Sequence, residues 1–363
     1  MEIIQSSLQY FCQMIIIIGA GLSGLLTGYR LKKEGIPFKI LEARNRVGGR
    51  IHTVFGANNT PVEMGATWFT NQHQDLITLL EELEIEYFEQ YMDSNVHYQA
   101  DATSPSQLVQ IPKQPASYRI SGGTSNLINT LLQKLEKSDV LLNQSVSEIK
   151  FHENSVQVMA KEAFEGDRVV LGLPPKLWAK KILFEPQLPD SLIQVAQQTH
   201  TWMEDSIKIA LTYSQPFWQQ ENVSGTLFSN AGPITELYDH CNHENSKYAL
   251  CGFINAFFKS LTSEERRARV MNQLKNVFGM EAEAFIDYEE CIWSNEADTY
   301  EASDSFLLPH QNNGNPIFSQ SFFDDKLLIS SAESALEFPG YMNGAVYSAN
   351  VIAKKITKAQ QRK

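Results

Sequence analysis

The sequence predicts an α/β fold with a Rossmann-like dinucleotide-binding domain, and three observations near its amino end indicate it. Residues 15–18 are four consecutive isoleucines, a composition typical of a strand buried on both faces of a parallel sheet. This strand leads into a G-x-G-x-x-G turn at 19–24, and a helix is expected over about 22–33. Residues 38–41 are then predicted to form a second parallel strand, which ends in the acid Glu42.

Each part of this opening unit has a physical role. Gly19 permits the tight turn, Gly21 lets the backbone approach a pyrophosphate, and Gly24 lets the helix pack closely on the strand. The helix amino terminus would direct N–H groups at the phosphates. Glu42 lies about 20 residues after the turn, where a carboxylate accepts hydrogen bonds from a ribose hydroxyl. Because the parts occur in the required order, the sequence predicts a dinucleotide site.

A basic, glycine-containing stretch follows this acid directly. It contains Arg44, Arg46, Gly48, Gly49 and Arg50. Guanidinium groups beside a pyrophosphate would supply hydrogen-bond donors and neutralise its charge. The alternative is a solvated basic loop without a ligand.

Composition narrows the class of protein. The chain has 363 residues, 43% of them hydrophobic, and a formal net charge of -12. A uniformly acidic chain has no electrostatic reason to bind nucleic acid. Its cysteines, Cys12, Cys241, Cys251 and Cys291, show no metal-ligand spacing, and its eight histidines are scattered, so no metal site is expected. Such cysteines are typical of reduced thiols in a cytoplasmic protein.

Targeting signals are not evident in the sequence. No stretch reaches the ~20 apolar residues that a membrane helix needs. Residues 1–13 lack a basic region and a small-residue cleavage site, so no signal peptide is expected. The sequence therefore predicts a cytoplasmic protein without a transmembrane anchor, and it leaves the oligomeric state open.

The middle of the chain alternates helical and strand patterns. Leucine spacing predicts amphipathic helices near 76–83 and 127–135. Residues 90–117 carry few apolar repeats and are expected to form an irregular connection. Thr262 to Glu265 has the spacing of a capping box, and the helix that it starts is expected to end before Gly279.

A strand–acid–glycine–helix unit near the carboxyl end mirrors the opening unit. A strand beginning near Lys326 delivers Glu333, and Gly344 then precedes a terminal helix. This second unit could contact another part of the same long cofactor. The alternative is an ordinary closing strand–helix pair, because small residues before a helix are common.

These motifs resemble those of the flavin-containing amine oxidases, the group of monoamine oxidase, polyamine oxidase and L-amino-acid oxidase. The stretches are GAGLSGL…LEARNRVGGRI, EMGATWF and GYMNGAV, and the resemblance covers nearly the whole chain. It implies an FAD-binding Rossmann-like domain of the GR2/amine-oxidase type, interleaved with an α+β substrate domain. The discontinuous motifs place 13–74, 116–176 and 294–357 in the FAD-binding domain, and 75–115 and 177–293 in the substrate domain.

The resemblance also implies which residues contact FAD. They are Gly19, Gly21, Gly24, Glu42, Ala43, Arg44, Gly49, Arg50, Gly65, Ala66, Thr67, Trp68, Val146, Ser331, Glu333 and Met342. By the same resemblance, Tyr341 stands over the substrate face of the flavin. A lysine is implied to hold a water at flavin N5; Lys181 is the expected residue and Lys180 the competitor.

Two departures from the resemblance concern the flavin itself. Monoamine oxidases attach FAD to a cysteine, and that position is Ala302 here, so the cofactor is expected to be non-covalent. Ser331 stands where the family usually has glycine beside the flavin.

Two further departures concern the substrate cavity. Ser303 stands where monoamine oxidases carry an aromatic-cage tyrosine, and Tyr300 or Phe338 could fill that gap. The segment 89–119 is much shorter than the helical insert of those enzymes. The cavity is therefore expected to be smaller-walled or more open.

The leading hypothesis is an FAD-dependent oxidoreductase that oxidises a small amine to an imine, then an aldehyde, while O2 becomes H2O2. A cavity walled by Tyr341, Trp68, Trp293 and Phe338 would favour the neutral amine. Two alternatives stay open. One is a compact FAD oxidase or desaturase of another substrate, similar to renalase. The other is a catalytically degenerate FAD-binding protein.

Overall fold

A computed structural model describes residues 14–101, 104–219 and 223–361 of the chain. Cys12, residue 13 of the predicted FAD-binding domain and the expectation drawn from residues 1–13 lie outside the described residues. In the described ranges, no helix is long and apolar enough to cross a membrane.

The described α-helices lie mainly around two sheets. They are α1 (Leu22–Lys33), α2 (Gln74–Glu82), α3 (Ser125–Gln133), α4 (Pro175–Lys181), α5 (Asp190–Gln197), α6 (Ser263–Phe278) and α7 (Met342–Gln360). The strands of the amino-terminal half are β1 (Ile15–Ile18), β2 (Phe38–Leu41), β3 (Thr53–Gly56), β4 (Thr60–Glu63), β5 (Phe69–Thr70), β6 (Tyr87–Glu89), β7 (Asn95–Gln99), β8 (Gln107–Gln110), β9 (Ser117–Ile120), β10 (Val140–Leu141), β11 (Glu148–Phe151), β12 (Val156–Met159), β13 (Ala163–Gly166) and β14 (Arg168–Leu171). The later strands are β15 (Leu183–Glu185), β16 (Ile207–Tyr213), β17 (Val223–Ser229), β18 (Ile234–Asp239), β19 (Tyr248–Ile254), β20 (Asp287–Ile292) and β21 (Leu327–Ile329).

A five-stranded sheet, ordered β10-β2-β1-β14-β21, contains the opening unit. Every pairing in it is parallel, and β1 lies buried between β2 and β14. Helices α1 and α7 pack together on one face, whereas β11, β12 and α4 contribute to the core on the other. The predicted α/β fold class is confirmed. The carboxyl ends of the parallel strands share one edge, where ligands bind in sheets of this type.

A second, seven-stranded sheet has the order β20-β16-β19-β18-β17-β7-β8. Strands β7 and β8 lie in the segment 90–117, for which the prediction of an irregular connection was wrong. The reason is that β8 is exposed along its whole length, so its residues show no apolar alternation. Helix α6 packs against this sheet and begins with the predicted capping box at Thr262, and its C-cap Gly279 has a φ of 84°.

The strands divide between the two sheets largely along the predicted segments. All strands of the parallel sheet fall within 13–74, 116–176 and 294–357, and those of the seven-stranded sheet within 75–115 and 177–293. The boundary after residue 176, however, falls inside α4, and the following strand β15 pairs with β11. The assignment of these segments to two domains stays a prediction.

Candidate active site

A cavity of about 720 Å³ lies at the carboxyl edge of the parallel sheet and reaches the seven-stranded sheet. Ile18, Leu41 and Gly172, at the ends of β1, β2 and β14, line one part of it. Lys208 and Phe253 of the seven-stranded sheet line another. Its volume lies in the upper part of the range for ligand and cofactor sites. Within the described residues no cluster could hold a metal ion.

Almost every predicted site residue borders this cavity. The lining includes Gly19, Gly21, Glu42, Ala43, Arg44, Gly49, Arg50, Gly65, Ala66, Thr67, Trp68, Val146, Lys181, Ser331, Tyr341 and Met342. Gly24 and Glu333 lie behind its wall, where Gly24 packs against β1 and Glu333 is fully buried.

Glycines form a cradle at the amino end of α1. Gly21 forms a bridge with Gly48, and the Gly48 N–H donates to the carbonyl of Ala20 at 2.8 Å. Gly49 has a φ of +57°, and a Cβ there would lie 3.3 Å from Gly21 Cα. The backbone can therefore approach a ligand closely, and the first turn of α1 points N–H groups toward it.

Two buried carboxylates, Glu42 and Glu333, contact residues next to this cradle. Glu42 accepts from the N–H groups of Ala20 at 2.7 Å and Arg44 at 3.0 Å. Glu333 Oε1 is 2.7 Å from Arg50 Nη1, and its Oε2 has no hydrogen-bond partner among the described residues. Buried acceptors with remaining capacity fit the hydroxyl groups of a long dinucleotide.

Ser331 fits its position without strain. Its φ is -113°, an extended conformation that needs no glycine. Its hydroxyl accepts from the Ser334 N–H at 3.2 Å and caps a short 3-10 turn that contains Glu333. The departure from glycine therefore leaves the backbone beside the cavity intact.

Lys208 is a site residue that the sequence analysis missed. It lies on β16 and is 2% exposed, and its Nζ donates to the Gly65 carbonyl and the Thr67 hydroxyl. The ammonium also lies 5.0 Å from the centroid of the Trp68 ring. Burial lowers the pKa of Lys208, and the buried Glu63 carboxylate opposes part of this shift. The sequence did contain one indication of a buried lysine, because Lys208 is the single charged residue in the otherwise apolar stretch IKIAL.

The lysines named from the sequence have a different environment. Lys181 is 41% exposed in its side chain, donates to the Ala297 carbonyl and lies 3.4 Å from the Glu301 carboxylate. Lys180 pairs with Asp304 at 3.1 Å. Lys181 borders the cavity, but its ammonium is held by a surface segment.

Aromatic rings form the part of the cavity near Lys208. The indole of Trp68 donates to Gln90 Oε1 at 2.9 Å, and its ring meets that of Tyr238 at 5.1 Å between centroids. The indole of Trp293 donates to the Met64 carbonyl at 2.7 Å. These hydrogen bonds fix two large rings at the cavity wall.

Trp202 stands beside Tyr341 on this wall. Their centroids are 6.2 Å apart, and His310 stacks on both rings, at 4.2 Å from Trp202 and 5.6 Å from Tyr341. Phe338 instead packs against His73 at 4.6 Å. Trp202 is therefore a ring next to Tyr341 that the sequence analysis did not consider, and Tyr300 also borders the cavity.

A buried ion pair holds the segment that carries Trp202. Lys176 is 1% exposed, and its Nζ lies 2.6 Å from Glu204 Oε1. Burial raises the pKa of the Glu204 carboxyl, and the Lys176 ammonium opposes that shift. The pair links helix α4 of the parallel-sheet half to the loop before β16.

Comparisons with known proteins identify the family of the chain. The family model described as "Flavin containing amine oxidoreductase" matches residues 22–119 and 107–357. The chain belongs to this family. It is therefore a flavin amine oxidase-like oxidoreductase, and the family implies a flavin cofactor.

Individual relatives are distant but cover most of the chain. A probable flavin-containing monoamine oxidase A of Dictyostelium discoideum is 21% identical over 449 residues, 94% of this chain and 97% of the relative. Putrescine oxidase of Kocuria rosea is 24% identical over 399 residues, covering 78% of this chain and 82% of the relative. A solved structure of wild-type putrescine oxidase bound to putrescine matches with a TM-score of 0.83 at 23% identity, over 95% of this chain and 99% of that chain. This last likeness shows the fold.

The glycine cradle allows a matched pair of variants. Gly24→Ala should lower the melting temperature, because its Cβ would lie 1.9 Å from the Gly19 carbonyl oxygen and such overpacking costs about 1–3 kcal/mol or more. Gly21→Ala should fold, because its Cβ meets Gly49 Cα at 4.0 Å, but its methyl group would border the cradle and reduce bound flavin. Thermal unfolding and flavin absorbance measure the two effects. A Gly24→Ala protein as stable as wild type would contradict this packing.

Proposed function

We propose that this enzyme binds FAD non-covalently and oxidises a small amine to an imine, which hydrolyses to an aldehyde, with O2 reduced to H2O2. The observation that carries the proposal is one continuous cavity. It joins the cradle at Gly21 and Glu42 to an aromatic region at Trp68, Tyr341 and the buried Lys208.

FAD suits the polar groups along the cavity. The cradle and α1 would hold the pyrophosphate, Glu42 the adenosine ribose and Val146 the adenine side. The buried carboxylate of Glu333 supports a hydroxylated chain between pyrophosphate and flavin. This assignment makes the cradle the cofactor end of the cavity and the aromatic region the substrate end.

Attachment of the cofactor is proposed to be non-covalent. Ala302 offers no nucleophile at the position named by the resemblance. Burial raises the pKa of the Cys291 thiol to about 11, so this cysteine stays protonated near neutral pH.

The protein residues would bind and orient the amine and exclude water. Bound FAD would supply the two-electron oxidation of the carbon next to nitrogen. Trp68, Trp202 and Tyr341 would hold a neutral amine against the cofactor by apolar and ring contacts.

We propose Lys208 in place of Lys181 as the lysine beside the reactive edge of the cofactor. The Lys208 Nζ is fully inside the protein, hydrogen-bonded to residues 65 and 67, and borders the cavity. From there it can donate to a water or hold a proton. The Lys181 ammonium is partly exposed and paired with Glu301, so it lacks that setting.

The position of Glu236 suggests which class of amine the cavity accepts. In the sheet register, Lys208 is opposite Phe253, which is opposite Glu236, so the three lie in one row on one face of β16, β19 and β18. Two strand spacings separate the ends of the row by about 10 Å. Glu236 borders the cavity and accepts from the Tyr238 hydroxyl at 2.8 Å. We propose that its carboxylate binds a second cationic group, as in a short diamine.

Peroxide release tests the proposed reaction. The purified protein with bound flavin should release H2O2 from at least one member of a panel of short diamines and aliphatic or aromatic monoamines. Flavin bleaching by dihydronicotinamides without a response to any amine would instead favour the renalase-like alternative. Flavin that no candidate substrate bleaches under anaerobic conditions would favour a degenerate protein.

Lys208→Met tests the reassigned lysine. We expect Lys208→Met to retain flavin but to slow flavin reduction or its reoxidation roughly 10²-fold, the lower end for a positioned proton-transfer group. Lys181→Met is the matched comparison, and its flavin-loaded fraction should stay near the wild-type half-reaction rates, because the Lys181 ammonium is partly exposed and paired with Glu301. Anaerobic stopped-flow absorbance measures both half-reactions. Slow half-reactions in Lys181→Met together with normal ones in Lys208→Met would return the role to Lys181.

Glu236→Gln tests the substrate class. We expect kcat/KM for diamines to fall about 10- to 100-fold, the magnitude of a hydrogen bond to a charged group, with little change for monoamines. Tyr238→Phe keeps the carboxylate and should change the diamine-to-monoamine ratio much less. Steady-state peroxide assays give the ratios. An equal loss for both substrate classes in Glu236→Gln would argue against recognition of a second charge.

A further inference from the structure

An acidic segment without helix or strand forms one wall of the cavity. We call residues 296–304 the acidic strap; it carries the carboxylates of Glu296, Asp298, Glu301 and Asp304. Asp298, Thr299 and Tyr300 border the cavity. With no strand to bind it into a sheet, the strap depends on other contacts for its position.

The first half of the acidic strap is held by Arg44. Arg44 Nη2 lies 2.9 Å from Glu296 Oε2 and donates to Thr299 Oγ1 at 3.1 Å, and its Nε lies 3.8 Å from Asp298 Oδ2. The Arg44 side chain is 8% exposed. Arg46 adds a longer contact of 4.0 Å to Glu296.

The second half of the acidic strap is held by helix α4. Lys181 donates to the Ala297 carbonyl and pairs with Glu301 at 3.4 Å. Lys180 donates to the Ala302 carbonyl at 2.9 Å and pairs with Asp304 at 3.1 Å. Each of the four strap carboxylates therefore faces a cation from the parallel-sheet half of the molecule.

We infer that the acidic strap is the wall that retains the non-covalent cofactor. Charge pairs to Arg44, Lys180 and Lys181 hold it closed over the cavity. These cations therefore position the strap, and the pyrophosphate charge is met chiefly by the cradle and the amino terminus of α1. The inference rests on the proposed binding of FAD.

Salt should open such a wall. The Lys180 and Lys181 pairs are partly exposed, and such pairs are weak individually and are screened at ionic strengths near 0.1 M, where the Debye length is about 10 Å. The pairs of the buried Arg44 are screened less. Because Ala302 provides no covalent link, an opened strap would let the cofactor leave. The lifetime of bound FAD should therefore fall as ionic strength rises.

Neutralising Glu296 and Asp298 separates this inference from simple charge attraction. Removing negative charge near an anionic cofactor should by itself slow FAD release, and it would free Arg44 to bind phosphate. Loss of the strap contacts predicts the opposite result, which is faster release. The two explanations therefore predict opposite changes in the rate of FAD release.

The experiment uses the protein loaded with FAD and follows flavin fluorescence after dilution, at low and high sodium chloride. The double variant Glu296→Gln with Asp298→Asn should release FAD at least several-fold faster than wild type at low salt and keep only the salt dependence that the Lys180 and Lys181 pairs supply. The control Glu82→Gln breaks a surface pair with Arg30, away from the cavity, and should behave like wild type. Unchanged or slower release from the double variant overturns the inference.

If the Glu296→Gln/Asp298→Asn variant fails to fold, a second measurement on a different variant tests the same inference. Lys180→Gln with Lys181→Gln changes two partly exposed side chains, and it should increase cleavage after Glu301 by a glutamate-specific protease several-fold. Added FAD should protect the wild-type site. Equal cleavage in variant and wild type overturns the inference. A wild-type protein that never takes up FAD overturns the cofactor proposal as well, whereas FAD uptake without amine turnover counts against the proposed reaction alone.

Discussion

The close approach of helix α1 to strand β1 is the constraint on which the rest of the site depends. Gly24 has no space for a side chain, because a Cβ there would meet the Gly19 carbonyl oxygen at 1.9 Å. This contact fixes the amino end of α1 at the carboxyl end of a central, fully buried strand. The N–H groups of the helix, the bridge between Gly21 and Gly48, and the Glu42 carboxylate all take their positions from it. A small displacement of α1 would therefore move every polar group of the cradle together.

Buried charge imposes a second constraint at the other end of the cavity. A lone ammonium or carboxylate inside a protein is costly unless it is paired and hydrogen-bonded. Lys208 meets this requirement through Gly65 and Thr67, and Glu63 accepts from Thr53 Oγ1 at 3.0 Å. These contacts join the seven-stranded sheet to the segment that leaves the cradle. The same hydrogen bonds that offset the desolvation of Lys208 thus fix the part of the cavity at the seven-stranded sheet against the part at the parallel sheet.

The part of the site at the parallel sheet, which we propose holds the cofactor, was largely predictable as local structure, because its signals are local. The strand 15–18, the turn 19–24 and Glu42 follow one another along the chain, and short-range geometry relates them. The substrate half depends on contacts between distant segments. Lys208 approaches Gly65 only after β16 has paired within its sheet, and the Trp202 ring meets Tyr341 across 139 positions, the difference between 341 and 202. Lysines 180 and 181 lie in a polar stretch that gives no sign of the carboxylates they meet.

The arginines after Glu42 have carboxylate partners that the sequence did not indicate. Arg44, Arg46 and Arg50 follow the ribose-binding acid and were expected to neutralise a pyrophosphate. In the folded chain Arg44 and Arg46 face Glu296, and Arg50 faces Glu333. A guanidinium group that is paired with a carboxylate contributes little net charge to a nearby anion, although it keeps other N–H donors free. The proposed phosphate end of this cavity is thus left with backbone N–H groups and a helix terminus as its main attractive elements. Backbone N–H groups bind an anion only when they point at it. Retention of the proposed cofactor therefore depends on how rigidly the cavity walls keep the cofactor and these N–H groups in position.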